Sequence, residues 1–420
     1  MHTNLNRLAS TLVGPKKTKT LSLTVAVALG AAATLSACAP GGGATGSEDE
    51  VVIGVLAPVT GFMSTHGTAI RDSAKLAAEE INANGGMDGK DVKLVFADGA
   101  SDPATNTQRA RELVGRDGAQ FLIGTGSSAE TLAVVPVASE NKVPFIYSLD
   151  GEIKTCLPGD PTKVNPYVFA SGPTPEMLLE SFLPNVMEQS GKSVYFLGSD
   201  YVFPRSLTAV AKRIVEENGG TIVEEKYTPT DSTDYSAEIS AILKAKPEIL
   251  FLTLPGADGV TFVRQARQAG VFDNMLVTGS ATFDTENYSG FGQEADGVIV
   301  VNRYSELLDT PQNEPYVSAH KKTYPDQTNP LGPTGAAGSY GSLLALDAAV
   351  EEAGSTDAED VIEALEGLSV DLPQGTVTVN PDNHMFDQQL YQMKIENDNY
   401  TVLEDLGVAS HPGFDGCSVE

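Results

Sequence analysis

The chain has 420 residues, 56 Asp+Glu against 27 Lys+Arg for a formal net charge of −29, and 41% hydrophobic residues. At roughly 100–200 residues per domain this length allows two or three domains, and the apolar fraction is ample for packed cores, which excludes a mainly disordered chain. The acidic surplus repels phosphate backbones and argues against a nucleic-acid partner, and three cysteines exclude a disulfide-dense miniature scaffold.

Residues 1–37 carry Arg7, Lys16, Lys17 and Lys19 and no acidic residue, and contain a 15-residue apolar run, Leu21 to Leu35. That is shorter than the roughly 20 residues of a membrane-spanning helix and suits the apolar region of a secretion signal. The run ends in Leu35-Ser36-Ala37-Cys38, which looks like a bacterial lipobox. The reading is export, removal of residues 1–37 and lipidation of Cys38, giving an extracytoplasmic protein tied to the bacterial cell membrane by its lipid alone. Loss of four basic residues leaves 23 Lys+Arg against 56 Asp+Glu, so the mature chain is more acidic, at −33. Residues 38–50, rich in Gly, Ser and acidic side chains, read as a flexible tether. Cys156 and Cys417 are either bonded, across about 260 residues, or two free thiols.

From residue 51 short apolar runs alternate with longer amphipathic ones. Val51 to Ala57, Val92 to Ala97, Gln120 to Gly124, Val143 to Tyr147, Ser193 to Leu197, Glu248 to Leu254, Met275 to Thr278 and Val298 to Val301 read as strands. Several are apolar on both faces, the pattern of parallel strands covered by helices. Between and after them, Thr68 to Asn82, Asn106 to Gly115, Ala129 to Glu140, Glu176 to Gln189, Arg205 to Glu217, Tyr235 to Lys244, Gly259 to Ala269, Gly338 to Ala353 and Ala358 to Leu365 read as helices. This alternation is α/β, and single cores stop growing near 250–300 residues, so two doubly wound α/β lobes are expected. Segments near Tyr167 to Pro173, Val298 to Tyr304 and Gly375 to Asn380 are the expected crossings, forming a three-crossover hinge. The partition is 51–171 with 302–374 for lobe I, 172–301 with 375–410 for lobe II, and a tail at 411–420.

Ligands of open α/β sheets bind beyond the carboxyl ends of the strands, beside helix N-termini with unpaired N–H groups. Those ends carry Thr125-Gly126-Ser127-Ser128, Ser148-Leu149-Asp150, Gly198-Ser199-Asp200-Tyr201, Pro255-Gly256-Ala257-Asp258 and Gly279-Ser280-Ala281-Thr282. Each such residue alone is also an ordinary cap or turn residue; the set at equivalent ends points to a cleft for a small polar or amphipathic solute. Tyr147 and Tyr201 supply aromatic walls with polar tips, or core packing. Catalytic signatures are missing: Gly124 to Ser128 is not G-x-S-x-G, no phosphate loop or dinucleotide fingerprint follows a strand, and the five histidines are scattered singly. No metal, no cofactor and no enzyme activity are expected.

The ordered runs VVIGVLAPVTG, HGTAIRDSAKLAAEEINANGG, ASDPATNTQRARELV and FLIGTGSSA resemble the solute-binding proteins of ABC importers for branched-chain amino acids and amides, over nearly all of 51–405. Tyr195 to Arg205 and Pro373 to His384 are similar to the urea and short-amide branch, from which Ser148 to Cys156 departs. The resemblance implies a type I periplasmic-binding-protein fold that closes on a solute and docks to permease subunits of an importer. It further implies that Ser127 and Ser128 meet the solute's polar head, that Tyr147 and Ser148 flank it, and that Tyr201 with Gly256 or Asp258 closes from the second lobe; Ser280 joins them at its strand end. A zwitterion needs an anion for its ammonium, which Asp200, Asp258 or Asp284 can supply; a neutral amide or urea needs only matched donors and acceptors. Both solutes stay open, as do a ligand-sensing receptor on the same fold and a surface-tethered hydrolase.

Overall fold

The computed structural model describes residues 50–151, 156–328, 331–396 and 399–411. The signal, the tether, lipidated Cys38 and Cys417, with its pairing to Cys156, lie outside the described residues. Among those described, no helix is long and apolar enough to cross a membrane.

Two sheets form the framework. In the first, strands Asp91–Ala97, Glu50–Leu56, Phe121–Gly124, Phe145–Tyr147 and Val168–Ala170 lie side by side in that order, all parallel. Alternate side chains explain the double apolar face. Val51, Ile53 and Val55 pack with Ile123, Leu343 and Leu346 on one side, whereas Val52 and Leu56 pack with Leu122, Val134 and Leu113 on the other. In the second sheet the parallel strands Thr221–Thr228, Ser193–Ser199, Ile249–Thr253, Leu276–Gly279 and Ile299–Asn302 are followed by the antiparallel pair Phe386–Glu396 and Asn399–Ala409.

Three stretches escape the apolar-run reading. Thr221–Thr228 is an edge strand and half solvated, so its sequence TIVEEKYT carries charge. Phe386–Glu396 alternates buried and partly exposed positions along FDQQLYQMKIE, the mark of an antiparallel strand with one wet face. Helix Asn313–Thr323 is polar except where Tyr316 and His320 turn inward. The expected helix 176–189 is two, Pro175–Leu179 and Phe182–Ser190.

The chain passes between lobes after Val168–Ala170, after Ile299–Asn302 and within the long strand Phe386–Glu396. The last passage lies later than the 374/375 division expected above: Val377, Val379 and Phe386 pack with Val51 and Ile53, and Leu390, Met393 and Ile395 with the second sheet. The three passages meet at Ser171. Its carbonyl accepts from the Arg303 guanidinium and from Gln388 Nε2 at 2.9 Å, and its hydroxyl accepts from Ser342 Oγ at 3.0 Å. Arg303, fully buried, also donates to the Ser148 carbonyl at 2.9 Å and lies 3.4 Å from the Asp150 carboxylate.

A buried guanidinium with several fixed acceptors is costly to lose, because the acceptors and Asp150 stay behind unpaired. Replacing Arg303 by Ala is expected to lower unfolding stability by about 3–5 kcal/mol in urea titrations. Arg303→Lys should recover little, since one ammonium cannot reproduce the planar fork that reaches both carbonyls; full recovery by Lys would contradict this reading of the hinge.

Candidate functional site: the closed interlobe cleft

Where the carboxyl ends of the two sheets face each other, lobe I contributes the loop Pro58–Met63, the start of helix Ser64–Ala83 and the Leu149–Asp150 turn. Lobe II contributes Tyr201, Pro255 and the Ala281–Asp284 turn, and Pro333–Thr334 returns from lobe I. The lobes touch directly. Phe62 meets the Tyr201 ring edge-on at 6.0 Å, Thr65 Oγ donates to Asn287 Oδ1 at 2.6 Å, and His66 Nε2 lies 3.0 Å from Asp284 Oδ2. Gly256, at φ 63°, sits under the Phe62 carbonyl so closely that any Cβ would collide with it.

The cleft concentrates ionisable groups. The nearest side-chain atoms of His66, Asp284 and Glu286 lie within 4.8 Å of one another, all buried, and the Asp150 side chain, 14% exposed, is beside Arg303. Glu286 Oε1 accepts from the Thr334 backbone N–H at 2.9 Å, at the start of a π-helical turn, Thr334–Tyr340, that runs into helix Gly341–Ala353. A helix N-terminus suits a carboxylate. Burial pushes Asp150 up to about 6, with Asp284 adding to the rise and Arg303 and His66 opposing it. Glu286 is raised by burial and then by Asp284. Burial alone would lower His66, but the hydrogen bond to Asp284 and the charges of Asp284, Glu286 and Asp150 outweigh it, so its proton is held more tightly than in water. Three carboxyl groups, one histidine and one guanidinium thus share the seam between the lobes.

The residues singled out from sequence divide. Tyr201 lines the cleft, its hydroxyl pushed up by burial. Gly256 makes the lobe contact just described. Asp258 faces its own lobe, accepting from Ser199 Oγ at 2.7 Å and from the Asp231 N–H at 2.9 Å, so it braces strand ends. Ser127 caps helix Ser128–Asn141, accepting from the Glu130 N–H and donating to Glu130 Oε2 at 3.0 Å. Ser128 Oγ and Ser148 Oγ are buried with no hydrogen-bond partner among the described residues. Tyr147 is in the lobe I core beside Phe145, and Ser280 is buried one position before the cleft residue Ala281. Asp200 is bound by Arg205 at the surface, so of Asp200, Asp258 and Asp284 only Asp284 lines the cleft. Asp150 stands on one of the strand ends named from sequence, but His66, Glu286 and Arg303 escaped notice because each is unremarkable in its own stretch; only the fold unites positions 66 and 284.

The cleft is shut, with about 20 Å³ of free space, enough for about one water. A solute therefore enters when the lobes part. The cleft also fixes a pH response. Glu130, buried beside Ser127 and Asn106, is pushed up to about 7 by burial, and Asp150 to about 6. Carboxylates raised in the folded state hold protons that the unfolded chain has released, and His66 likewise holds its proton longer, so all three stabilise the fold at low pH and lose that contribution as pH rises. The melting temperature of the solute-free protein is expected to fall between pH 5 and pH 8 by calorimetry, with a shallower fall in Glu130→Gln; a rise over this interval would contradict the assignment.

The profile of the periplasmic binding protein family matches residues 50–400. The chain is 25% identical to the Leu/Ile/Val-binding protein homolog 3 of Brucella melitensis, over 80% of this chain and 89% of that protein. It is 24% identical to the leucine-, isoleucine-, valine-, threonine-, and alanine-binding protein of Pseudomonas aeruginosa, over 85% and 90%. Among solved structures, an ABC-transporter solute-binding protein of R. palustris in complex with benzoate superposes with a TM-score of 0.79 at 19% identity, over 88% of this chain and all of that one. A leucine-binding protein of Thermotoga maritima superposes with a TM-score of 0.73 at 21% identity, over 84% and 98%. With two α/β lobes, three passages and a closed cleft between strand ends, the chain belongs to the periplasmic binding protein family, the solute-binding proteins of ABC transporters.

Proposed function

We propose that the chain is a lipid-anchored extracytoplasmic solute-binding protein of an ABC importer, and that its solute is a small aliphatic amino acid held between the lobes by its ammonium group. The observation that carries this reading is that Asp150 and Asp284 line one closed cleft, with Glu286 close behind Asp284 and with His66 and Arg303 as the basic groups beside them among the described residues. Buried carboxylates are stable as ions only when paired charge and hydrogen-bond donors reach them. An ammonium group supplies charge and donors to these carboxylates, while the solute's own carboxylate is met by other donors; a neutral amide or urea supplies donors alone, and a benzoate anion adds like charge. The names of the Brucella and Pseudomonas relatives support the same class. Buried hydroxyls without partners, Ser128 and Ser148, are the candidates for the solute's carboxylate. Lobe closure then presents one continuous face to the permease subunits.

A small amide or urea-like compound is the second reading, favoured by the likeness of Tyr195 to Arg205 to that branch; within that stretch Asp200 is tied to Arg205 and only Tyr201 reaches the cleft. Titration calorimetry with L-leucine, L-alanine, acetamide, urea and benzoate separates the two. The aliphatic amino acids should bind, about tenfold or more weakly to Asp284→Asn, since hydrogen bonds to charged groups are the stronger ones. Binding of acetamide or urea with silence from the amino acids would overturn the ammonium assignment.

A further inference from the structure

Helix Ser128–Asn141 carries a fully buried acid, Glu130, in its first turn. Three donors converge on its carboxyl: Ser127 Oγ reaches Oε2 at 3.0 Å, Asn106 Nδ2 reaches Oε1, and the Gly126 N–H adds a third. In return Ser127 Oγ accepts from the Glu130 N–H at 3.3 Å. The loop that carries these groups is held in place. Thr125 stands at φ 75° with its hydroxyl against that of Thr131, and Gly126 packs so closely on Pro58 and on the cleft residue Met63 that a Cβ there would collide with Pro58.

No Lys, Arg or His forms an ion pair with Glu130 among the described residues. Asp98, just past strand Asp91–Ala97, adds like charge. On the helix that supplies Asn106, Arg109 is engaged by Glu112 at 2.8 Å and by the Asp98 carbonyl, and the cap Asp102 is bound to Thr105. From lobe II the Tyr201 hydroxyl feels the Glu130 charge, and Arg205, on the helix packed against this one, is bound by Asp200. The loop Pro58–Met63 carries no titratable side chain. Burial therefore dominates and pushes the Glu130 carboxyl up to about 7.

A serine hydroxyl has one proton to give. With Glu130 ionised, the Ser127 proton is spent on Oε2. When Glu130 takes a proton from solvent, Oε2–H donates to Ser127 Oγ instead, and the Ser127 hydroxyl can turn its own proton to a carboxylate at the start of the helix, beside the unpartnered Ser128 Oγ. The like charge in the first turn is removed by the same step.

We propose that Glu130 is a positioning residue for the solute's carboxylate: its protonated form turns the Ser127 hydroxyl towards the solute, so that binding takes up a proton at this side chain. The assignment rests on the amino-acid reading of the cleft, with the carboxylate at Ser128. Because the bound state holds the Glu130 proton more tightly than the empty state, affinity is highest at low pH and is lost as pH rises through the value for the empty protein.

The test is calorimetric titration of L-leucine into the full chain and into Glu130→Gln at pH 5.5, 7.0 and 8.5. Gln reproduces the protonated acid, with an N–H for Ser127 Oγ and a carbonyl for Asn106 Nδ2. Asp150, Glu286 and His66 are the same in both proteins, so the ratio of the two affinities isolates Glu130. The variant should match the wild type within about twofold at pH 5.5 and bind about fivefold more tightly than it at pH 8.5. If Glu130→Gln does not fold by circular dichroism, Ser127→Ala decides the same point: the ratio of wild-type affinity to that of the variant should fall about fivefold from pH 5.5 to pH 8.5. A ratio that stays constant with pH, or Glu130→Gln binding more weakly than the wild type at pH 8.5, would overturn the proposal and leave the amino-acid reading standing. No binding of L-leucine to the wild type at any of the three pH values would overturn both.

Discussion

One backbone oxygen organises the molecule. The carbonyl of Ser171, on the first passage between lobes, accepts from Arg303 on the second and from Gln388 on the third. Because Arg303 reaches at the same time to Ser148 and Asp150, the passages are tied to the strand end that forms the floor of the cleft. A hinge made from three chain segments constrained at a common point restricts the relative motion of the lobes to a bend, and places the moving edges at the far ends of the strands, where Phe62, Thr65 and His66 meet Tyr201, Asp284 and Asn287.

Closure brings like charges together. Glu286 is driven against the Thr334 N–H and Asp284 against His66, while Asp150 waits beside Arg303. Burial raises the pKa values of Asp150 and Glu286, so their ionised forms are costlier in the closed arrangement than in water. Each lobe has its own pair of apolar clusters, one on either face of its sheet, whereas the seam between the lobes is lined by polar and charged groups.

Much of the fold is legible in the sequence because parallel strands buried on both faces read as short apolar runs, as VVIGVL at Val51–Leu56 and ILFLT at Ile249–Thr253 do. Elements with one wet face were silent: Thr221–Thr228 carries three charged residues, and Phe386–Glu396 hides its alternation among glutamines. The strand-end rule led to Tyr201 and Gly256, yet it also picked Asp258, an internal brace, and stopped short of Asp284, the charged contact across the lobes, which was named only as one of three possible partners for an ammonium. Ser, Thr and Asp serve as caps and as ligand contacts with the same local signature, and nothing in the neighbourhood of His66 announces a partner 218 positions away.

The central claim is that the lobes close about the Ser171 hinge on an amino acid whose ammonium group meets the acidic side chains of the cleft. Small-angle X-ray scattering of the full chain, without solute and with saturating L-leucine, tests it most directly. The account predicts a smaller radius of gyration with L-leucine, as the seam between His66 and Asp284 closes. An unchanged radius under conditions where calorimetry shows the amino acid bound would contradict it.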